Sequence, residues 1–203
     1  MHDTSTSALL KLGILGSGRG SNFVAIADSI AAAQTQAEIV LVASDFADAP
    51  ILDAARERGL KTYACRAGNF KTKLEPEIET ELAQALQDAQ VDLVVLAGFM
   101  RVVKAPLLKA FPQRIINVHP SLLPKYRGLE AWRQALEGGE KETGCTVHWV
   151  NEILDGGAII DQRTVPILAS DTSETLHARI QVQEHLALPE VIQQISLGNI
   201  KLG

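Results

Sequence analysis

The sequence predicts an α/β fold, a single domain built on a largely parallel twisted sheet flanked by helices, with antiparallel strands in the C-terminal half. Three observations predict it. Strand-like apolar runs alternate with helix-like amphipathic stretches over the first hundred residues, the pattern of a doubly wound sheet. Val91 to Ala97 is apolar throughout except for Asp92, which suits a central parallel strand covered on both faces. Toward the C-terminus, the strand-like segments Cys145 to Val150 and Ala158 to Val165 are separated by a turn carrying Asp155-Gly156-Gly157, which favours an antiparallel pair.

The elements follow in order. Met1 to Ala8 is polar and rich in Ser and Thr, with no basic segment ahead of an apolar one, and reads as a disordered leader rather than a signal peptide. Leu9 to Leu15 reads as a strand, and Gly16 to Asn22 as a turn into a helix over Phe23 to Ala33. Glu38 to Ala43 is a second strand. A helix over Ala49 to Arg58 stops at Gly59, a fitting first residue beyond a helix. Lys61 to Cys65 is a short strand and Arg66 to Leu74 a loop. Glu75 to Ala89 carries an apolar stripe at Ile78, Leu82 and Leu86 and reads as a helix. Arg114 to Val118 is a strand, Glu130 to Leu136 a helix, and Cys145 to Val150 and Ala158 to Val165 the antiparallel pair. A helix over Ser173 to Ile195 closes the chain.

With 203 residues, 46% hydrophobic and 4% aromatic, the chain can bury a sizeable, mainly aliphatic core. Its net charge of −5 argues against the basic footprint of a nucleic-acid binder. No apolar run approaches the length of a membrane span. Cys65 and Cys145 have no CxxC partner and read as buried thiols of a reducing compartment. The expectation is a cytoplasmic protein. His119, His148, His177 and His185 show no usual ligand spacing, so no metal is expected.

Asn117-Val-His-Pro-Ser-Leu-Leu-Pro124 carries the strongest chemical signal. At the end of an apolar run, Asn117 and His119 lie two apart and point to one face of a strand. The amide can donate to a developing oxyanion, and the imidazole can donate to it or move a proton. A downstream carboxylate such as Asp155 can set the protonation of that imidazole. Taken alone, the stretch could equally be a strand end and turn bonded to nearby backbone. The glycines of Gly16 to Asn22 leave free N–H groups at a helix start, a place for a phosphate, or serve only a tight turn. The dinucleotide fingerprint fails at Ser21, and a Walker A lysine is missing. Leu96 to Val102 follows the strongest strand, where open α/β sheets bind ligands, though a hydrophobic turn would look the same. Gln181 and Glu184 share a helix face, which could also be solvated. His148, in an apolar segment, reads as a core histidine.

Together these residues resemble the folate-dependent glycinamide ribonucleotide formyltransferases, also called phosphoribosylglycinamide formyltransferases, of purine biosynthesis. The resemblance runs from about Leu12 onward and rests on four motifs in the family's order. These are Gly18-Arg-Gly-Ser-Asn22, Leu96-Ala-Gly-Phe-Met-Arg101, Asn117 to Pro124 and Leu154-Asp-Gly-Gly157. It implies a catalytic trio of Asn117, His119 and Asp155, with Asp155 holding His119 protonated. It places the nucleotide's phosphate at Gly20, Ser21 and Asn22, and the nucleotide also on Gln181 and Glu184. It assigns folate to Met100, Arg101, Val102, Val103, Asn117, Asn151, Glu152, Ile153, Leu154 and Asp155, and to Lys73 where the family often has Arg. Arg19 and Arg127 receive no role.

The implied co-substrate is 10-formyltetrahydrofolate and the acceptor glycinamide ribonucleotide, with no nucleic-acid or membrane partner, in a monomer or homodimer. The resemblance also implies a nucleotide-binding half to about residue 100 and a folate and catalytic half beyond it. Formyltetrahydrofolate hydrolase and methionyl-tRNA formyltransferase share part of this pattern, but usually carry an additional domain. A non-catalytic nucleotide-binding α/β protein is the rival from another class.

Overall fold

The computed structural model describes residues 8–202, so the expected leader falls, Ala8 apart, outside the described residues. Among them the sheet has seven strands in the order β3-β2-β1-β4-β5-β6-β7. These are β1 (Leu10–Leu15), β2 (Ala37–Ser44), β3 (Thr62–Ala64), β4 (Leu93–Leu96), β5 (Ile115–His119), β6 (Glu142–Trp149) and β7 (Ile159–Pro166). The first five pair parallel; β6 and β7 join antiparallel. The helices are α1 (Ser21–Ala31), α2 (Pro50–Glu57), α3 (Pro76–Asp88), α4 (Ala105–Ala110), α5 (Ala131–Glu137) and α6 (Ser173–Ser196).

Alternation along the strands divides the core into two layers. Leu93, Val95, Ile116 and Val118 pack with Phe23, Ile26 and Leu52 from α1 and α2, and with Leu176, Ile180 and Leu188 from α6. Val94, Leu96 and Ile115 pack with Ile78, Leu82 and Leu86 from α3, and with Leu107 from α4. By the same alternation, Asn117 and His119 fall on the Ile115 side. Both cysteines are buried, and burial pushes each thiol up to about 12.

Several elements depart from the sequence reading, among them β4, which spans Leu93–Leu96 rather than Val91 to Ala97. The short helix α4 was not expected, because six residues opening on Ala105-Pro106 show no helical period. Its start is capped from outside the segment, where Glu79 Oε1 accepts from the Lys104 backbone N–H at 2.6 Å. α1 begins at Ser21 rather than Phe23, with Gly20 as N-cap at φ 75°, a conformation open to glycine. β6 starts at Glu142 rather than Cys145, in register with Pro166. Gly144 breaks the β-branched pattern there, yet its missing side chain lets the Arg163 backbone approach.

β1 and β4 are neighbours, while the chain leaves them toward opposite edges of the sheet. That reversal opens a crevice at the C-terminal strand ends, where α/β sheets hold ligands. The turn after β1 and the loop after β4 meet across it. Ser17 N–H donates to Gly98 O at 3.0 Å, and Met100 N–H donates to Ser17 Oγ at 2.8 Å.

Candidate active site

β5 ends on Asn117 and His119, and β6 lies antiparallel beside it with His148 directly opposite Asn117. His148 Nδ1 lies 2.9 Å from Trp149 O. A carbonyl only accepts, so the ring proton sits on Nδ1 and Nε2 is left as an acceptor. Burial pushes the His148 pKa down, which favours this neutral ring. Nε2 therefore accepts from Asn117 Nδ2 at 3.1 Å. One amide hydrogen of Asn117 is thus fixed, and the other remains for a ligand in the cavity that Asn117 lines.

Asp155 reaches the same corner from the turn before β7. Its φ is 48°, in the left-handed region that Asp tolerates better than most residues. Gly157 makes the turn possible, since a Cβ there would run into the Trp149 backbone. Gly128 N–H donates to Asp155 Oδ2 at 2.8 Å. His119 Nδ1 is 3.5 Å from that oxygen, and His148 Nε2 is 3.8 Å from Oδ1. The carboxylate is 8% exposed, so its low-dielectric surroundings strengthen the His119 contact, whereas the neutral His148 Nε2, an acceptor already taken by Asn117, gives Oδ1 no hydrogen bond.

His119 differs from expectation in one respect. Its Nε2 donates to Tyr126 O at 2.8 Å, so that hydrogen is already held by the loop after β5. Asn117 is the member of the trio with a donor left for an oxyanion, and His119 turns Nδ1 to Asp155.

These groups line a cavity of about 650 Å³. Met100, Arg101, Val102, Val103, Asn151, Ile153 and Leu154 line it too, whereas Lys73 and Glu152 do not. Met100, Ile153 and Leu154 are exposed apolar side chains on its rim, suited to a flat apolar ligand. Asn151 shapes the 151–157 turn by accepting from Ile153 N–H at 2.9 Å. Lys73 Nζ lies 4.6 Å above the Phe70 ring. His148, Trp132 and Leu129 are cavity residues that the sequence reading did not assign. Only the pairing of β5 with β6 reveals His148.

Two of the residues expected to hold the nucleotide meet elsewhere. Asn22 Nδ2 donates to Glu184 Oε2 at 3.0 Å, so α1 and α6 meet at the residues proposed for one ligand. Burial raises the Glu184 pKa to about 6, and the Asn22 bond lowers it in part. Asn22 Oδ1 is buried without a partner among the described residues. Gly20 and Ser21 stand at the start of α1, where backbone N–H groups are unpaired, and Gln181 lies one turn before Glu184 on α6. The expected division into two functional halves is bridged by this contact. Among the described residues no group of three or more His, Cys, Asp or Glu could hold a metal, and no helix is long and apolar enough to cross a membrane.

Comparison with known proteins agrees with this architecture. Residues 10–192 match the formyl transferase family model. Phosphoribosylglycinamide formyltransferase of Escherichia coli (strain K12) is 40% identical over 189 residues, covering 93% of this chain and 88% of that protein. The trifunctional purine biosynthetic protein adenosine-3 of Drosophila pseudoobscura pseudoobscura is 42% identical over 193 residues, 94% of this chain but only 14% of that protein's length. The crystal structure of glycinamide ribonucleotide transformylase 1 from Symbiobacterium toebii superposes with a TM-score of 0.89 at 43% identity, covering 96% of this chain and 91% of that one. The chain belongs to the formyl transferase family.

Proposed function

We propose that the chain transfers the formyl group of 10-formyltetrahydrofolate to the amino group of N1-(5-phospho-D-ribosyl)glycinamide, a step of purine biosynthesis. The observation that carries this reading is the Asn117 amide, held by His148 on the cavity wall with one N–H left to donate. The nucleotide's amine attacks the formyl carbon and gives a tetrahedral intermediate. Asn117 donates to its oxyanion, the contact that gains most as charge develops. Asp155 and His119 carry the proton: it leaves the nitrogen that has become an ammonium on adding to the carbon and reaches the departing folate nitrogen as the carbon–nitrogen bond breaks. The products are the N-formyl nucleotide and tetrahydrofolate, with no covalent enzyme intermediate.

Gly20, Ser21 and Asn22 take the phosphate at the start of α1, and Gln181 and Glu184 take the rest of the nucleotide. The folate's flat ring lies between the 100–103 and 151–155 segments. The acidic balance supports small molecules rather than nucleic acid as partners. A cytoplasmic monomer or homodimer belongs to the same reading.

An absorbance assay of purified protein with both substrates, run beside a nucleotide-free control, tests it. Formation of deformylated folate that requires the nucleotide supports the transferase. Turnover without nucleotide would instead assign formyltetrahydrofolate hydrolysis, and none in either arm would leave a binding protein.

A further inference from the structure

Arg101 stands on the loop read as folate-facing and lines the cavity, and its guanidinium is bonded into the protein. Nε donates to Asp45 Oδ2 at 2.5 Å, and Nη1 donates to Phe70 O at 2.7 Å. The Phe46 ring lies 5.1 Å from the guanidinium carbon and covers it. Asp45 has a side chain 0% exposed and Arg101 one 11% exposed. Asp45 Oδ1 has no hydrogen-bond partner among the described residues, so Arg101 is its visible compensation. Pulling the guanidinium toward a ligand carboxylate would abandon a buried anion, which is strongly unfavourable.

The contacts join three loops at the C-terminal edge of the sheet. Asp45 follows β2, Phe70 follows β3, and Arg101 follows β4. Beside them, Val102 N–H donates to Thr72 O at 2.8 Å, so the guanidinium and the backbone fasten the same two loops. From the other side, Ser17 holds the loop through Gly98 O and Met100 N–H. Residues 100–103 form one wall of the cavity, and this double fastening sets where that wall stands. Arginine suits the task, because its rigid fork can bridge a carboxylate and a carbonyl at once.

We propose that Arg101 is a positioning residue, latched by Asp45 and the Phe70 carbonyl, that sets the folate-facing wall without its guanidinium touching the folate. The proposal rests on the formyl-transfer reading, and Asp45 becomes part of the working site although it lies off the cavity lining.

Asp45→Asn tests it, since the shape is kept while the charge that holds Arg101 is lost. Two readouts apply. In hydrogen exchange without ligand, the Met100 and Val102 amides should exchange about tenfold faster than in the unaltered protein, with β4 unchanged. In steady-state kinetics the folate KM should rise about tenfold, with kcat and the nucleotide KM changed less than about threefold.

A direct folate contact predicts the reverse, because Asp45→Asn would free Arg101 for the donor's glutamate carboxylates. A lowered or unchanged folate KM, or unchanged exchange at both amides, overturns the latch. A donor lacking the glutamate sharpens the test: the Asp45→Asn penalty should persist with it, and a penalty that disappears also overturns the proposal. Should Asp45→Asn fail to fold, Arg101→Lys carries the same measurements, since it keeps a cation near Asp45 but loses the fork. Inactivity of the unaltered protein would defeat the formyl-transfer reading instead, and the exchange arm would still decide whether the latch exists.

Discussion

The corner around Asn117 and the corner around Glu184 both bury polar side chains, but they satisfy them differently. At the end of β5, Asn117 bonds His148 at 3.1 Å and His119 faces Asp155 at 3.5 Å. Backbone groups of Tyr126, Gly128 and Trp149 complete the set. Where α1 meets α6, Glu184 is bonded by Asn22, and Asn22 Oδ1 has no partner among the described residues. The first corner is built to hold one geometry, which is what charge stabilisation in a transition state needs. The second keeps acceptors in a dry place, a disposition suited to a ligand that brings its own donors. Substitutions in the first should therefore act on kcat, and in the second on nucleotide binding and on stability.

The largest effect should come from Asn117→Ala. Losing the one trio donor left for the oxyanion should lower kcat by about 10²–10³ with little change in either KM. Single-turnover kinetics check this, and a loss below about tenfold would remove Asn117 from the oxyanion. Asp155→Asn should cost about 10² in kcat, because the His119–Asp155 pair loses its proton-carrying charge. A change confined to the nucleotide KM would make Asp155 a binding group and erase the contrast between the corners.

His148→Ala should lower kcat by about tenfold, less than loss of Asn117 itself, because the amide stays but its orientation is released. The double variant Asn117→Ala/His148→Ala should then be no slower than Asn117→Ala alone, the signature of two residues acting through one contact. Additive losses would show that His148 acts on the reaction by another route, through Asp155.

How far these corners could be read from the sequence follows from the same contrast. The parallel strands were legible because burial on both faces leaves runs such as Leu93–Leu96 with nothing polar to confuse them. Asn117, His119 and Asp155 stood out by residue type and order, and the structure brings them to one cavity. His148 did not, since a histidine within an apolar strand reads as core until β6 is paired with β5. The Asn22–Glu184 contact joins residues 162 apart, and no local spacing announces it. The loop position of Arg101 is visible in the sequence, whereas its bond to Asp45, 56 residues earlier, is not. The short helix α4 escaped because its start is capped by Glu79 from another element.

The smallest effect on turnover, and the one that separates the corners most sharply, belongs to Glu184→Gln. Burial raises the Glu184 pKa from 4.5 to about 6. An acid whose pKa is higher in the folded state binds more protons there than in the unfolded chain. Its charge therefore destabilises the fold as pH rises through that interval, by about 2 kcal/mol once pH exceeds the folded value. Glutamine keeps an oxygen for Asn22 Nδ2 and carries no charge. The variant should thus be more stable by about 1–2 kcal/mol at pH 7, with the gain fading as pH falls toward 4.5. Denaturant unfolding at a series of pH values measures it. The same variant should raise the nucleotide KM about tenfold at pH 7, because a ligand hydroxyl loses a charged acceptor. In the unaltered protein, the nucleotide KM should climb as pH drops below about 6, and in the variant that climb should be absent. A variant that is less stable at pH 7 would mean that the ionised carboxylate is already compensated in the fold, and the Glu184 corner would then be as self-sufficient as the Asn117 corner.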